Sequence, residues 1–232
     1  EGGVLAVEEG AVGDWPKTKE MATLAGGIFA PLGEHYRFVT CQVLLAYAHI
    51  ATGDLAGARD LLAPFGEYAE ALDNPPARGW TLMARALIDL MAGSPPQGAL
   101  DRLAAVQESW LSAGEGVMWH SLQAAAALAA GDRRRASASA DTAIGLMRRI
   151  LGVGHAYHAV AAMAAACLAM AVPGEDASMA RAKDAVRLVG GYAQRIAVGR
   201  PYALWLAGRL ARLGGNPRKA QRLFRRGLAL AE

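Results

Sequence analysis

His155 and His158 stand three residues apart, a spacing that puts two imidazoles on one face of a helix, as a pair of metal ligands would be. No Asp or Glu lies near them in the sequence to complete a ligand set, so the pair reads as a polar patch or a satisfied core contact at the start of a helix. His35, His49 and His120 are scattered, Cys41 has no positioned His or Asn partner, and there is no G-x-S-x-G elbow. The carboxylate pairs Glu8-Glu9 and Glu175-Asp176 fall near helix ends, where the helix dipole or solvent accounts for them. The sequence therefore predicts no catalytic constellation, no metal site and no cofactor. It also lacks a Walker phosphate loop and a helix-turn-helix reader, so any nucleotide or DNA chemistry belongs outside this stretch of chain.

The cations are more informative. Arg133-Arg134-Arg135 has the character of a phosphate-holding run but follows Gly131-Asp132, and reads as the solvated first turn of a helix. Arg218, Arg222, Arg225 and Arg226 recur at three- and four-residue spacing and form a basic stripe on one helix. Residues 200–232 hold eight Lys and Arg against Glu232 alone, a balance of +7 that leaves −4 of the overall +3 for residues 1–199. This electropositive end suits an acidic partner, the next domain or nucleic acid; without interleaved exposed aromatics to stack bases, direct nucleic-acid binding is disfavoured.

Of 232 residues, 53% are hydrophobic, 19% charged and 6% aromatic, and 52 are alanine, a composition that buries a core and favours close-packed helices over strands. Cys41 and Cys167 are far apart on apolar helical faces and build no disulfide framework, which fits a reducing, cytoplasmic setting. The 25 uncharged residues between Arg149 and Glu175 are long enough to span a bilayer. They are mostly alanine, however, with Gly152, Gly154, His155 and His158 at one end and Pro173-Gly174 at the other, so a buried helix is expected and no membrane partner. The opening Glu1-Gly2-Gly3 has no basic or apolar signal character, and the chain reads as a piece of a longer polypeptide.

Gly followed by a short polar residue recurs as Gly13-Asp14, Gly53-Asp54, Gly93-Ser94, Gly131-Asp132, Gly174-Glu175 and Gly215-Asn216, at intervals of 40, 40, 38, 43 and 41. Each dipeptide separates two segments of helical periodicity. The Gly supplies a left-handed C-cap and the following residue an N-cap, so the unit is helix, turn, helix. Six such pairs fill the chain: 2–12 with 16–31, 34–52 with 55–72, 77–92 with 96–112, 115–130 with 133–151, 155–171 with 176–197, and 201–213 with 217–231. The expected fold is all-α, an α-solenoid of six helical hairpins forming one repeat domain over residues 1–232.

Small and large residues recur at matching points: Leu204, Gly208 and Ala211 with Ala220, Phe224 and Gly227 in the last pair, Ala46, Ala58, Leu62 and Phe65 in the second, Ala124, Ala127, Ala136, Ala140 and Ala143 in the fourth. This pattern resembles the tetratricopeptide (TPR) repeat, although the period exceeds the usual 34 residues by about six. With its Ala- and Arg-rich character it is similar to the helical-repeat region of MalT-type, LuxR-family ATP-dependent transcription regulators and of TPR-tailed bacterial adenylate cyclases. The resemblance implies a non-catalytic module of a signalling protein that binds a peptide, a protein or a small effector and associates with other domains of its polypeptide or with itself. It further implies that first helices line a concave groove, presenting Tyr47 and Ile50, Trp80, Met83 and Leu87, and Tyr202, Trp205, Arg209 and Arg212. The alternative function is a helical enzyme whose site the sequence does not reveal.

Overall fold

A computed structural model of the chain describes residues 13–71, 74–106, 111–149 and 156–231. These residues are helical and contain no strand. The helices are α1 (Trp15–Phe29), α2 (His35–Ala51), α3 (Leu55–Ala71), α4 (Pro75–Met91), α5 (Pro96–Ala104), α6 (Ala113–Ala129), α7 (Arg133–Met147), α8 (Tyr157–Met170), α9 (Asp176–Arg195), α10 (Arg200–Leu213) and α11 (Pro217–Ala229). The helix expected over 2–12 lies outside the described residues. The helix expected over 96–112 stops at Ala104, and the others fall within a few residues of their expected bounds.

The Gly-polar dipeptides explain why the chain turns where it does. Gly13, Gly53, Gly93, Gly131, Gly174 and Gly215 all adopt positive φ, between 68° and 92°. At Gly53, Gly93, Gly131 and Gly215 the turn closes as a Schellman motif: Gly53 N–H donates to Ile50 and Asp54 N–H to His49, with equivalent pairs at the other three. The next residue then caps the following helix, the side-chain oxygens of Asp14, Asp54, Asp132 and Asn216 each accepting the N–H three residues on at 2.9–3.0 Å.

Two dipeptides differ from this expectation. Ser94 is not the cap, because Pro95 and Pro96 push the start of α5 one step along. Glu175 makes no side-chain cap; Val172–Glu175 is a tight turn with Pro173 and positive-φ Gly174 at its centre, closed by Glu175 N–H donating to Val172 at 3.0 Å. The Ser178 hydroxyl accepts the Val172 N–H there and donates to the Glu175 carbonyl. A seventh positive-φ glycine, Gly33, closes the link from α1 to α2.

Contacts divide the chain into two compact units, Glu1–Ser112 and Ala113–Glu232. In the first, α2 and α3 form a hairpin, α4 packs on both, α1 packs on α2 and α5 on α4. In the second, α6 with α7, α8 with α9 and α10 with α11 form three hairpins; α8 touches both α6 and α7, and α10 touches both α8 and α9. The α2–α3, α6–α7 and α8–α9 hairpins each offer a V between their two helices, and the first helix of the following hairpin lies in it.

The small residues expected at helix crossings are buried. Ala46, Ala58, Ala124, Ala127, Ala136, Ala140 and Ala143 are fully buried. A Cβ on Gly208 would stand 2.4 Å from the Phe224 ring, so this crossing accepts no side chain as it stands. Helix α8 is buried on nearly every face because it lies between neighbours on both sides, which accounts for a hydrophobic stretch without amphipathic pattern. No helix among the described residues is long and apolar enough to cross a membrane.

Candidate functional site

The residues expected to line one groove fall into two classes. Tyr47 and Met83, with Ile50 and Leu87, are buried in the first unit and do not face a groove. The reason is that α4 packs against both α2 and α3, so the side of α2 and α4 carrying these residues is an inter-helix surface. Burial raises the Tyr47 phenol above its ordinary range. Trp80 is half-buried, its ring 5.3 Å from that of Tyr36 and tilted against it.

Tyr202, Trp205, Arg209 and Arg212, in contrast, share a face of α10 through spacings of three, four and three residues, and that face is open. Trp205 is 42% exposed and Tyr202 37%. The Arg209 guanidinium lies over the Trp205 ring, 4.9 Å from its centroid, a cation–π contact that keeps the cation beside the indole.

Local structure creates this face. Pro201 sits in the first turn of α10 and Pro217 in that of α11, where a missing N–H costs nothing. Gly208 lets Phe224 lie against α10, and Gly227 brings α11 close to the Pro201 carbonyl and to Leu204. The near ends of the two helices then frame a cleft of about 650 Å³ lined by Pro201, Tyr202, Trp205, Phe224, Leu228 and Ala231. Leu228 is 63% exposed at its edge.

Behind it, Tyr202 meets the edges of Tyr157 and His158, with ring centroids 5.8 and 5.7 Å away. His158 is buried, its Nε2 has no hydrogen-bond partner, and burial pushes its pKa down to about 3. It is therefore a neutral core ring under the cleft. His155 lies outside the described residues, and among those residues no group of three or more His, Cys, Asp or Glu is placed to share a metal ion.

The basic stripe of α11 is solvent-exposed at Arg218, Arg222, Arg225 and Arg226. Arg218 and Arg225, seven residues apart, share a face next to that of Gln221 and Leu228, so they flank the cleft; Arg222 and Arg226 lie further round. Among the described residues no carboxylate pairs with these four, nor with Arg209 or Arg212. The Arg133-Arg134-Arg135 run begins α7 as expected, but Arg133 is engaged, donating from Nη2 to the Met170 carbonyl at the end of α8 at 2.9 Å.

A second cleft of the same size lies between α7 and α9, lined by Asp141, Ile144, Arg148, Arg181, Lys183, Asp184 and Arg187. Arg181 grips Asp141 through two hydrogen bonds of 2.7 and 3.0 Å, and Arg187 and Arg148 both donate to Asp184. These partners, Arg187 first, hold the Asp184 carboxyl below its ordinary range. Cys41 and Cys167 are free and buried, and burial raises both thiols, Cys167 to about 12, so both are packing groups in their neutral form.

Sequence reasoning found α10's contribution to the terminal cleft and missed α11's. Phe224 and Gly227 read as packing residues, and the repeat pattern assigns Leu228 no role. Its signal is an apolar residue within the basic stripe, one turn beyond Phe224 on the same helix face. Comparison with protein-family models, with curated proteins and with solved structures finds no match.

Proposed function

We propose that the chain is a non-catalytic interaction or effector-sensing module, a TPR-like α-solenoid within a larger bacterial regulatory protein, and that its working surface is the cleft of the C-terminal hairpin. The observation that carries this reading is the coincidence there of exposed Tyr202, Trp205 and Leu228 with cations that no carboxylate among the described residues pairs with. An aromatic trough supplies contact area at low entropic cost, and guanidinium groups beside it orient an anion, which together suit an apolar ligand bearing negative charge. The recurrence of capped hairpins, with α4, α8 and α10 each resting on both helices of the hairpin before it, supports the solenoid reading. The buried His158, Cys41 and Cys167, each favoured in its neutral form, fit packing better than proton transfer, which weighs against a helical enzyme.

The test uses anilinonaphthalene sulfonate, an aromatic anion whose emission rises on entering apolar sites. The native chain should enhance it at neutral pH, and Trp205→Ala combined with Arg209→Ala should remove most of the enhancement while helicity by circular dichroism is unchanged. Enhancement that survives this double substitution would place the binding surface elsewhere.

A further inference from the structure

The second unit sorts its charge by helix. Residues 113–195 hold nine Lys and Arg, all within 133–149 and 176–195, which are α7 with its C-terminal end and α9; the first helices α6 and α8 hold none. Three carboxylates, Asp141, Asp176 and Asp184, share those two stretches. Basicity is not a general property of second helices, because α3 in the first unit carries Arg59 against Asp60, Glu67 and Glu70. Helices α7 and α9 pack side by side, joined across their outer faces by Arg181 with Asp141 and Arg148 with Asp184. They therefore form one cationic face, and α10 and α11 follow it in the chain.

Most of these cations are open. Arg134, Arg148 and Arg149 at α7, and Lys183 and Arg187 on α9, are solvent-exposed. Arg134, Asp141 and Arg148 recur every seven residues and so fall on one stripe, while Lys183 and Arg187 are one turn apart. Among the described residues Arg134, Arg149 and Lys183 enter no ion pair, and Arg148 and Arg187 divide the single charge of Asp184. The face thus keeps a positive excess that its own carboxylates do not neutralise. The surface between its cations is low, with Ala138, Thr142, Ala177 and Ala180 exposed there, and no large hydrophobic side chain of α7 or α9 is exposed.

That combination selects the partner. A protein interface is anchored by aromatic and aliphatic side chains, and a peripheral helix enters a bilayer through an apolar face; this surface offers neither. A nucleic-acid duplex needs only cations within reach of its phosphates, because its bases are stacked inside, and the exposed aromatics that single strands require are not called for. We propose that the outer face of α7 and α9 binds double-stranded nucleic acid through its phosphate backbone, without reading sequence, and that Arg134, Arg148, Arg149, Lys183 and Arg187 make the phosphate contacts. Arg134 and Arg148 lie about 21 Å apart along the helix axis, a length over which a duplex carries about twelve phosphate charges. Arg148 and Arg187 each donate to Asp184 through Nη2, which orients the guanidiniums and leaves their other N–H groups for phosphate oxygens. This surface is distinct from the terminal cleft and stands or falls independently of it.

The experiment titrates a labelled DNA duplex of about 20 base pairs with the full chain, and fluorescence anisotropy should show saturable binding with the same affinity for two unrelated sequences. Between about 50 mM and 200 mM salt the affinity should fall by roughly 10²–10³-fold, as five phosphate contacts require. Arg134→Gln, Arg149→Gln and Lys183→Gln together, all at exposed positions, should weaken binding at least about tenfold and cut the slope of log affinity against log salt by about three. Lys183→Gln alone should cut it by about one. The triple variant should keep its helicity and its anilinonaphthalene sulfonate enhancement, so that folding and the terminal cleft are undisturbed. Duplex affinity untouched by these substitutions, or lost instead on neutralising Arg218, Arg222, Arg225 and Arg226, overturns the proposal, as does the absence of saturable duplex binding at low salt. Poly-glutamate displacing the duplex at equal or lower charge concentration would make an acidic protein the occupant. Binding to phosphatidylglycerol vesicles at a salt concentration that releases the duplex would make it a lipid surface, and either result overturns the proposal.

Discussion

The second unit carries two clefts of about 650 Å³, and they differ in what they leave unfinished. Between α7 and α9, Arg181 is matched by Asp141 across two helices, and Asp184 takes both Arg148 and Arg187. That cleft ties the second helices of consecutive hairpins together. At α10 and α11 the lining is aromatic and aliphatic, the bordering cations have no carboxylate among the described residues, and Trp205 and Leu228 are open. Cation number does not distinguish the two clefts. What differs is that one pairs its arginines with its own carboxylates, while the other combines unburied apolar area with unpaired charge, both of which a ligand can satisfy.

The comparison is broken most severely by filling the crossing on which the terminal cleft rests. Gly208→Leu puts a side chain where even a Cβ would lie 2.4 Å from the Phe224 ring, so Phe224 must leave the cleft floor. The cost should be about 1–3 kcal/mol of unfolding free energy, matched by Ala46→Leu and Ala124→Leu at fully buried crossings. Only Gly208→Leu should also abolish anilinonaphthalene sulfonate enhancement. Denaturant titration of the three variants decides it: unchanged midpoints would mean that these crossings are looser than their burial indicates.

Acid separates the clefts next. His158, under Tyr202, titrates near 3 in the folded chain and near 6.5 when unfolded, so between these values the unfolded state binds the extra proton. Stability should therefore fall as pH drops below about 6.5, with a slope from this residue of up to about 1.4 kcal/mol per pH unit. Asp184 has its carboxyl lowered, so its contribution is present above the ordinary carboxylate range and is lost only as pH falls through its folded value. Replacing the ring by an uncharged one, His158→Phe, should flatten the loss between pH 6.5 and about 4. Denaturant midpoints measured across that range for wild type and variant should diverge; parallel curves would mean that water reaches the imidazole.

How much of this the sequence discloses depends on the range of the interaction. The turns are local: a Gly with no Cβ penalty at positive φ and an Asp or Asn able to reach three residues on are read directly from Gly53-Asp54 or Gly131-Asp132, and helix bounds follow. Ser94 and Glu175 fail for equally local reasons, neighbouring prolines in one case and a Pro-Gly turn in the other.

The site is less legible because exposure is set by neighbours distant in sequence. Tyr47 and Tyr202 have the same residue type and occupy first helices, yet α4 covers one side of α2 while no helix among the described residues covers that side of α10. The pairing of Arg181 with Asp141, forty residues apart, is likewise invisible to periodicity, although that interval is the repeat length itself.

The smallest effect gives the sharpest test of the comparison. Asp184→Asn removes the carboxylate shared by Arg148 and Arg187 and gives the middle cleft the unpaired cations of the terminal one without its aromatic lining. Both guanidiniums are more than half exposed at their side chains, so the change in stability should stay within about 1 kcal/mol. If unpaired charge alone made the terminal cleft a site, the middle cleft would now take up anilinonaphthalene sulfonate. The expected outcome is that Asp184→Asn, placed in the Trp205→Ala and Arg209→Ala background, restores none of the lost emission, because without exposed aromatic area the desolvation of a cation is not offset. Recovery of the emission in that triple variant would show that the cations suffice, and the aromatic trough of α10 and α11 would lose its claim to be the recognition surface.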